Sequence, residues 1–344
     1  MNEFITKAYP QAEGFVISNP ADRYYLAGFF TPDSLMLYSD DPVLVTDSRY
    51  AVAAKAATCR VSIAGGYLNE VIKSAKEQGL RVLGYQPDFL SAGEYVALKD
   101  AGFDLIPVGG IFRELRSVKS EKEIAMIQAA QDITDKAFAD LLDYIKPGVT
   151  EKELRARLEF LMFSYGADGL AFDTIVASGA NGAKPHAVPS DKKVEKGEFI
   201  TFDFGARLNG YDSDMTRTVA LGEISPEMER IYQAVLEAHE AGMAILKPGL
   251  VCKEADLAAR EVLKKYDLEQ YFTHSLGHGV GIEIHESPNL NSRCETVLRP
   301  GHIVTVEPGV YIEGFCGVRT ENMVVLTENG HKSLTGTDKK LIKL

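Results

Sequence analysis

The chain has 344 residues, which at roughly 100–200 residues per domain gives room for two domains with buried cores. Hydrophobic residues make up 45% and charged residues 25%, a globular composition that excludes a disordered chain. Lys and Arg number 37 against 49 Asp and Glu, and the net charge of −12 repels phosphate backbones and anionic membranes, so nucleic acid is not an expected partner.

The first residues, Met1 to Lys7, lack a basic start followed by an apolar core, and no run approaches the roughly 20 apolar residues that cross a bilayer. The four cysteines, Cys59, Cys252, Cys294 and Cys316, lie far apart without a Cys-x-x-Cys pair, so neither a disulfide framework nor a thiolate zinc site is expected. A cytoplasmic protein with no membrane contact is the expectation. From Phe15 to about Arg116, apolar runs such as Gly14–Ile17 and Val43–Thr46 alternate with helical stretches such as Leu68–Gln78, a mixed α/β pattern. Ser120-Glu121-Lys122-Glu123 then reads as a capping box opening a helix whose stripe is Ile124, Ile127, Ala130, Ala137, Leu141 and Ile145. The domain boundary is placed just before it, giving units 1–118 and 119–344.

The second unit carries an internal repeat. Lys146-Pro147-Gly148-Val149 through Glu153 recurs as Lys247-Pro248-Gly249-Leu250 through Glu254, and Gly197–Asp203 recurs as Gly301–Glu307, each strand-like and closing on a carboxylate. His186-Ala187-Val188-Pro189 has a weaker echo in His285-Glu286-Ser287-Pro288. Three matches in one order predict a duplicated unit of helix, helix and acid-bearing hairpin, with a histidine upstream. The expected class is therefore α+β, an antiparallel duplicated domain preceded by a smaller mixed α/β one.

In Phe199–Phe204 the period of two puts Ile200, Phe202 and Phe204 on one face and Thr201 and Asp203 on the other. A turn over Gly205–Tyr211 returns the chain through Asp214, so a hairpin brings Asp203 and Asp214 together. Glu307 ends the second-half strand, and Glu321 is placed on the strand Val318–Val325. A lone strand acid is usually a solvated residue. Four converging carboxylates cannot all stay ionised without compensation, and two divalent cations would neutralise them. His278, in the glycine-rich segment His274–His285, offers a nitrogen ligand, and one nitrogen among oxygens favours manganese, iron or cobalt over a structural zinc cage. The glycine run leads into Ile282-Glu283-Ile284, read as strand, whereas a phosphate cradle should open a helix. No His-Glu-x-x-His and no Gly-x-Ser-x-Gly is present. His239, His302 and His331 read as surface histidines, and Arg319, two residues before Glu321 on the same strand face, either as a cation that orients a ligand or, the commoner role for such a residue, as half of an exposed cross-strand ion pair.

These residues resemble the pita-bread metallopeptidases, the family of methionine aminopeptidase, prolidase, Xaa-Pro aminopeptidase and creatinase. The resemblance rests on Pro185–Ser190, Phe202–Ala206, Gly210–Thr218, Gly277–Gly281, Val306–Tyr311 and Arg319-Thr320-Glu321, and on Asn19–Phe29 and Thr46–Tyr50 for a creatinase-type N-terminal domain. It implies a pita-bread catalytic domain in which Asp203 chelates one metal, His278 and Glu307 the other, and Asp214 and Glu321 bridge both. The implied cofactors are two divalent ions, manganese first, with cobalt or zinc as alternatives. Two such ions about 3.5–4 Å apart acidify a shared water to a bridging hydroxide and polarise the scissile carbonyl. The resemblance assigns His186 and His285 to transition-state contacts and Glu307 to the general base. It places Tyr211, His274 and Arg319 in substrate binding or behind the ligands. The implied substrates are short proline-containing peptides and the implied assembly a homodimer. Several prolidases carry an Arg after His-Glu-x-Pro for the dipeptide carboxylate, whereas this chain has Asn289. The main expectation is therefore an Xaa-Pro aminopeptidase, with Xaa-Pro dipeptidase as its alternative. A non-catalytic peptide-binding protein and a metal-free creatinase-like amidinohydrolase are the readings from other classes.

Overall fold

A computed structural model describes residues 1–344, which divide into two compact units, Met1–Arg116 and Ser117–Leu344. The first unit is built on a six-stranded mixed sheet. Its spatial order is Arg60–Ile63, Val43–Thr46, Ser34–Tyr38, Gly14–Ile17, Val82–Tyr85 and Asp104–Pro107, with the helices Tyr67–Glu77 and Ala92–Asp100 among its connections. Strands Gly14–Ile17 and Val43–Thr46 are buried along their whole length, which explains why they read as continuous apolar runs rather than alternating ones. In the segment Asn19–Phe29, the Asn19 side chain accepts hydrogen bonds from the Ala21 and Asp22 amides, so it caps the helix Pro20–Ala27.

The second unit repeats itself in structure as in sequence. Its first half has helices Glu121–Leu141 and Glu151–Ser164 packed on a sheet ordered Ile342–Lys343, Met215–Leu221, Glu198–Phe204, Ile175–Ser178. Its second half has helices Pro226–Ile245 and Cys252–Lys265 on a sheet ordered Glu286–Leu290, Gly277–Gly279, Ile303–Val306, Asn322–Thr327, Gly330–Ser333. The Lys-Pro-Gly turns match in detail. Gly148 and Gly249 have φ of 93° and 89°, Gly148 N donates to Val194 O and Gly249 N to Leu298 O, both at 2.9 Å. Those positive φ values are why glycine closes both turns.

Each half owns a core. Ile200, Phe202 and Phe204 pack with Phe138, Leu158 and Met162, while Val304, Val306 and Val324 pack with Val235, Ala238 and Ala259. The opposite faces, with Thr201, Asp203 and Thr305, are left to form the site. The Ser120 capping box is present, but the helix it opens ends at Leu141, and Ile145 follows a 3₁₀ turn over Leu142–Tyr144.

Three sequence expectations need correction. Ile282–Ile284 is a bend, and the strands on either side of it are Gly277–Gly279 and Glu286–Leu290. His239 is fully buried, because it continues the face of Tyr232, Val235 and Gly242 at helical spacing, and burial pushes its imidazole down to about 3. His302 is also buried, drawn inward by the strand that starts at Ile303 and bridging Val118. Burial lowers its pKa to about 4.

No helix is long and apolar enough to cross a membrane. Phe202 is fully buried with its ring 5.8 Å from that of Phe138. Truncating it to alanine removes one of the contacts that join helix to sheet, and a loss of about 3–5 kcal/mol is expected in denaturant unfolding.

Candidate active site

Both hairpins are interrupted, and the acids sit at or beside the interruptions. In the first, Glu198–Phe204 pairs with Met215–Leu221 and the tip Ala206–Leu208 pairs with Tyr211–Asp212. In the second, Ile303–Val306 pairs with Asn322–Thr327 and the tip Gly309–Ile312 with Cys316–Arg319. Asp214 and Ser213 lie between strands of the first hairpin, Glu307 and Pro308 between those of the second, and Thr320 and Glu321 on its return arm. Glu321 is thus not on a continuous strand as expected: the chain leaves a two-stranded sheet at Arg319 and enters another at Asn322. Such breaks release a side chain from the alternation of the pleat and re-aim it.

Asp203 stands opposite Thr216 in the ladder, not opposite Asp214. Ligand atoms of Asp214, His278 and Glu321 lie within 4.8 Å of one another. His278 Nε2 is 3.6 Å from Asp214 Oδ2 and 3.3 Å from Glu307 Oε1. Its Nδ1 donates to Gly279 O at 3.1 Å, which sets the tautomer and leaves Nε2 facing the acids. Close approach of the His278 strand to Thr305 demands a glycine, since a Cβ on Gly277 would be 1.9 Å from Thr305 O. Thr305 Oγ1 donates to Glu307 Oε1 at 3.1 Å, and Thr216 Oγ1 to Glu321 Oε2 at 2.7 Å. Asp203 belongs to a different arrangement: its Oδ2 accepts from the Arg319 guanidinium, which also donates to Thr216 Oγ1 at 3.0 Å and to the Tyr311 hydroxyl. Tyr311 in turn donates to His274 Nε2 at 2.9 Å, while His274 Nδ1 donates to Ser275 O.

Arg319 and His274 therefore stand beside the acids, and Tyr311 joins them. No local pattern announces the role of Tyr311, because it depends on a hydroxyl landing between two side chains from other elements. Tyr211 is placed elsewhere. Its hydroxyl is 3.2 Å from Glu123 Oε1 on the capping-box helix, a contact that ties the hairpin tip to that helix. His186 and His285 are both exposed and both line the two lobes of the cleft above the acids. The larger lobe, about 310 Å³, is walled by Phe172, Ile175, Val188 and Ile284 and reaches Asp214. The smaller, about 280 Å³, holds His278, Glu307, Arg319 and Asn289.

The electrostatics fit cation binding. Burial first, then repulsion from Glu321, Asp203 and Glu307, pushes Asp214 well above the usual carboxylate range. Burial and the charges of Glu307 and Asp203 raise Glu321 to about 8. Burial opposes charge on both members of the His278–Glu307 pair, yet their hydrogen bond prevails, holding Glu307 at about 2 and His278 at about 9. Glu321 Oε1 is buried with no protein partner at all. A buried carboxylate oxygen left bare, beside acids that repel it and an imidazole nitrogen aimed inward, is the donor set of a hard or borderline divalent cation.

The pH dependence follows in sign. The raised values of Glu321 and His278 give stability that is full below the ordinary 4.5 and 6.5 and is lost as pH rises through about 8 and 9. With a chelator present, the melting temperature should fall between pH 6.5 and 9. Added Mn²⁺ should flatten that fall, as scanning calorimetry at fixed salt would show.

Comparison with known proteins agrees with this geometry. Residues 125–328 match Metallopeptidase family M24 and residues 9–118 match the Creatinase/Prolidase N-terminal domain. Among solved structures, an Xaa-Pro dipeptidase from Bacillus anthracis superposes with a TM-score of 0.95 at 42% identity, covering 99% of this chain and 98% of that one. An X-Pro aminopeptidase from Thermotoga maritima gives 0.92 at 37% identity, covering 97% and 98%. An Xaa-Pro dipeptidase from Pyrococcus furiosus is 45% identical over 235 residues, 68% of each chain. The duplicated fold, the acids gathered at its hairpin breaks and these matches agree, and the chain belongs to metallopeptidase family M24, with a creatinase-type N-terminal domain before its pita-bread domain.

Proposed function

We propose that the chain is an Xaa-Pro dipeptidase working with two divalent cations, manganese first. The observation that carries this is the cluster of Asp214, His278 and Glu321, with Glu307 beside His278 and Asp203 on Arg319. The names of the relatives favour a dipeptidase over the aminopeptidase expected from Asn289. In this reading Asp203, Asp214, His278, Glu307 and Glu321 hold the cations. Bound there, the pair supplies Lewis acidity and a water acidified to near neutral pH.

The rest is done by the chain's own groups. Glu307, held ionised by His278, takes the proton of the attacking water on a carboxylate oxygen and returns it to the proline nitrogen as the bond breaks. Burial lowers the His285 pKa, so its imidazole is neutral at pH 7 and donates a hydrogen bond to the developing oxyanion, as does His186. Burial raises the Asp203 carboxyl above its ordinary range; Arg319 opposes that shift and holds the side chain in place, and the Tyr311–His274 string keeps Arg319 in place. The apolar lobe receives an apolar part of the substrate and displaces water from it. The same reading carries a cytoplasmic homodimer, which light scattering would register as twice the chain mass.

One observation favours a second reading. Asn289, exposed in the polar lobe, brings no charge to a dipeptide's C-terminal carboxylate, which suits an aminopeptidase acting on longer peptides.

Chelator-stripped protein should be given Ala-Pro, Ala-Pro-Ala and Met-Ala-Ala with Mn²⁺, Co²⁺ or Zn²⁺, and the products identified by mass spectrometry. Metal-dependent cleavage of Ala-Pro is expected. Alanine release from the tripeptide alone would establish the aminopeptidase, and no cleavage with any metal would favour a binding protein. Asp214→Ala and Glu321→Gln should lower kcat/KM by at least about a thousandfold with far-ultraviolet dichroism unchanged; full activity in either would refute the assignment. Asn289→Arg should lower KM for Ala-Pro several-fold while leaving longer peptides unimproved.

A further inference from the structure

A buried ion pair lies just outside the site. Lys119 Nζ donates to Glu286 Oε2 at 2.8 Å, and the two side chains are 1% and 0% exposed. Neither is among the expected ligands or substrate contacts. Taking two charges out of water is costly, and such a pair is weak support for stability by itself. What distinguishes this pair is the rest of the Glu286 carboxylate.

Glu286 Oε1 accepts hydrogen bonds from the amides of Ile282 and Glu283, at 3.1 and 3.2 Å. The chain from Gly281 to His285 is a bend with no ladder to hold it, so these bonds supply what a strand would have supplied. The bend wraps so closely that a Cβ on Gly281 would be 2.5 Å from Glu286 Oε2. Its far side is held too, since Asp212 N donates to Gly281 O at 2.8 Å. Lys119 is itself anchored, its amide donating to Gly301 O at 2.8 Å. The residue that this framework delivers is His285, between Ile284 and Glu286. Its ring lies 4.4 Å from that of His278, in an edge-on contact, and borders both lobes of the cleft.

We propose that Lys119 and Glu286 are positioning residues that set the orientation of His285. The Lys119 ammonium fixes the Glu286 carboxylate, the carboxylate fixes the bend, and the bend presents the imidazole to the cleft. The charge matters because only an ionised carboxylate accepts two amides and an ammonium together. This inference rests on the peptidase reading for its kinetic arm, and an independent spectroscopic arm stands without it.

The test is a double-mutant cycle on the full chain, using Lys119→Met, His285→Ala and the combination, with Mn²⁺ and Ala-Pro at a temperature below every variant's unfolding transition. Lys119→Met should lower kcat at least tenfold with KM changed less than about threefold and bound Mn²⁺ unaltered, and Lys119→Arg should restore most of the loss. In the His285→Ala background, Lys119→Met should cost no more than about twofold further. Multiplicative losses, or full kcat in Lys119→Met, would overturn the proposal. Glu286→Gln, which keeps an acceptor for the two amides, serves as a second entry to the same cycle. Failure of both single variants to fold would assign the pair to the core and overturn it as well. Independently of turnover, the imidazole resonances of His285, assigned through His285→Ala, should shift in Lys119→Met while those of His331 stay put. An inactive wild-type protein that still shows this shift would sink the peptidase reading and leave the positioning role intact; unmoved His285 resonances would do the reverse.

Discussion

Carboxylates brought face to face out of water repel one another, and much of the second unit is organised around that repulsion. Asp214 and Glu321 are buried, and the charges of Glu307 and Asp203 act on both. The chain offsets part of the cost with cations of its own. Arg319 takes Asp203, and His278 takes Glu307 and approaches Asp214. The bare oxygen of Glu321 is the part no side chain compensates. That division explains why Arg319 is buried and charged: its pKa is held well up by Tyr311, Asp203 and Glu307 against the pull of burial. It also ties stability to metal occupancy, because cations that bind the folded site but not the unfolded chain stabilise by mass action.

Duplication is the economical way to build such a site. Each half has its own helices and its own apolar sheet face, so each core forms by ordinary patterning and leaves one polar face free. The two polar faces then meet through the Arg319–Asp203 pair and through threonines. Thr218 Oγ1 donates to Arg319 O, Glu321 N donates to Thr216 O, and the Thr201 and Thr218 hydroxyls are 2.9 Å apart. Arg217, 2% exposed, completes the seam. Its guanidinium donates to Thr216 O, Asn322 Oδ1 and the Thr337 and Asp338 carbonyls, and it reaches Glu321 O as well. Rigidity around the acids comes from these neutral and backbone-directed bonds, which leave the carboxylate oxygens for ligands.

Beside the clustered acids runs a string of hydrogen bonds, Asp203–Arg319–Tyr311–His274–Ser275. Arg319, Tyr311 and His274 each have a partner on both sides, so the donor and acceptor roles along the string are determined. A second framework joins Lys119 and Glu286 to the bend at Gly281–His285. One framework serves the acids and the other a histidine that borders both lobes.

The repeat, the two hairpins and the residue types at Asp203, Asp214, His278, Glu307 and Glu321 were legible in the sequence, because periodicity and spacing are local properties that survive in one dimension. Apolar alternation in Phe199–Phe204 named the face on which Asp203 would stand, and the Lys-Pro-Gly turns announced a second copy. Other features were decided only by tertiary structure. The breaks that aim Asp214 and Glu321 arise where the chain passes from one sheet to another, so a continuous strand was the natural reading of Val318–Val325. Tyr311 acquires its role from Arg319 and His274, and Glu286 from Lys119, 167 residues away. His302 is buried beside Val118, a neighbour that no short window contains. Sequence determined which groups the chain possesses and on which face each begins; long-range packing decided which of them share a space, and with that their charge and orientation.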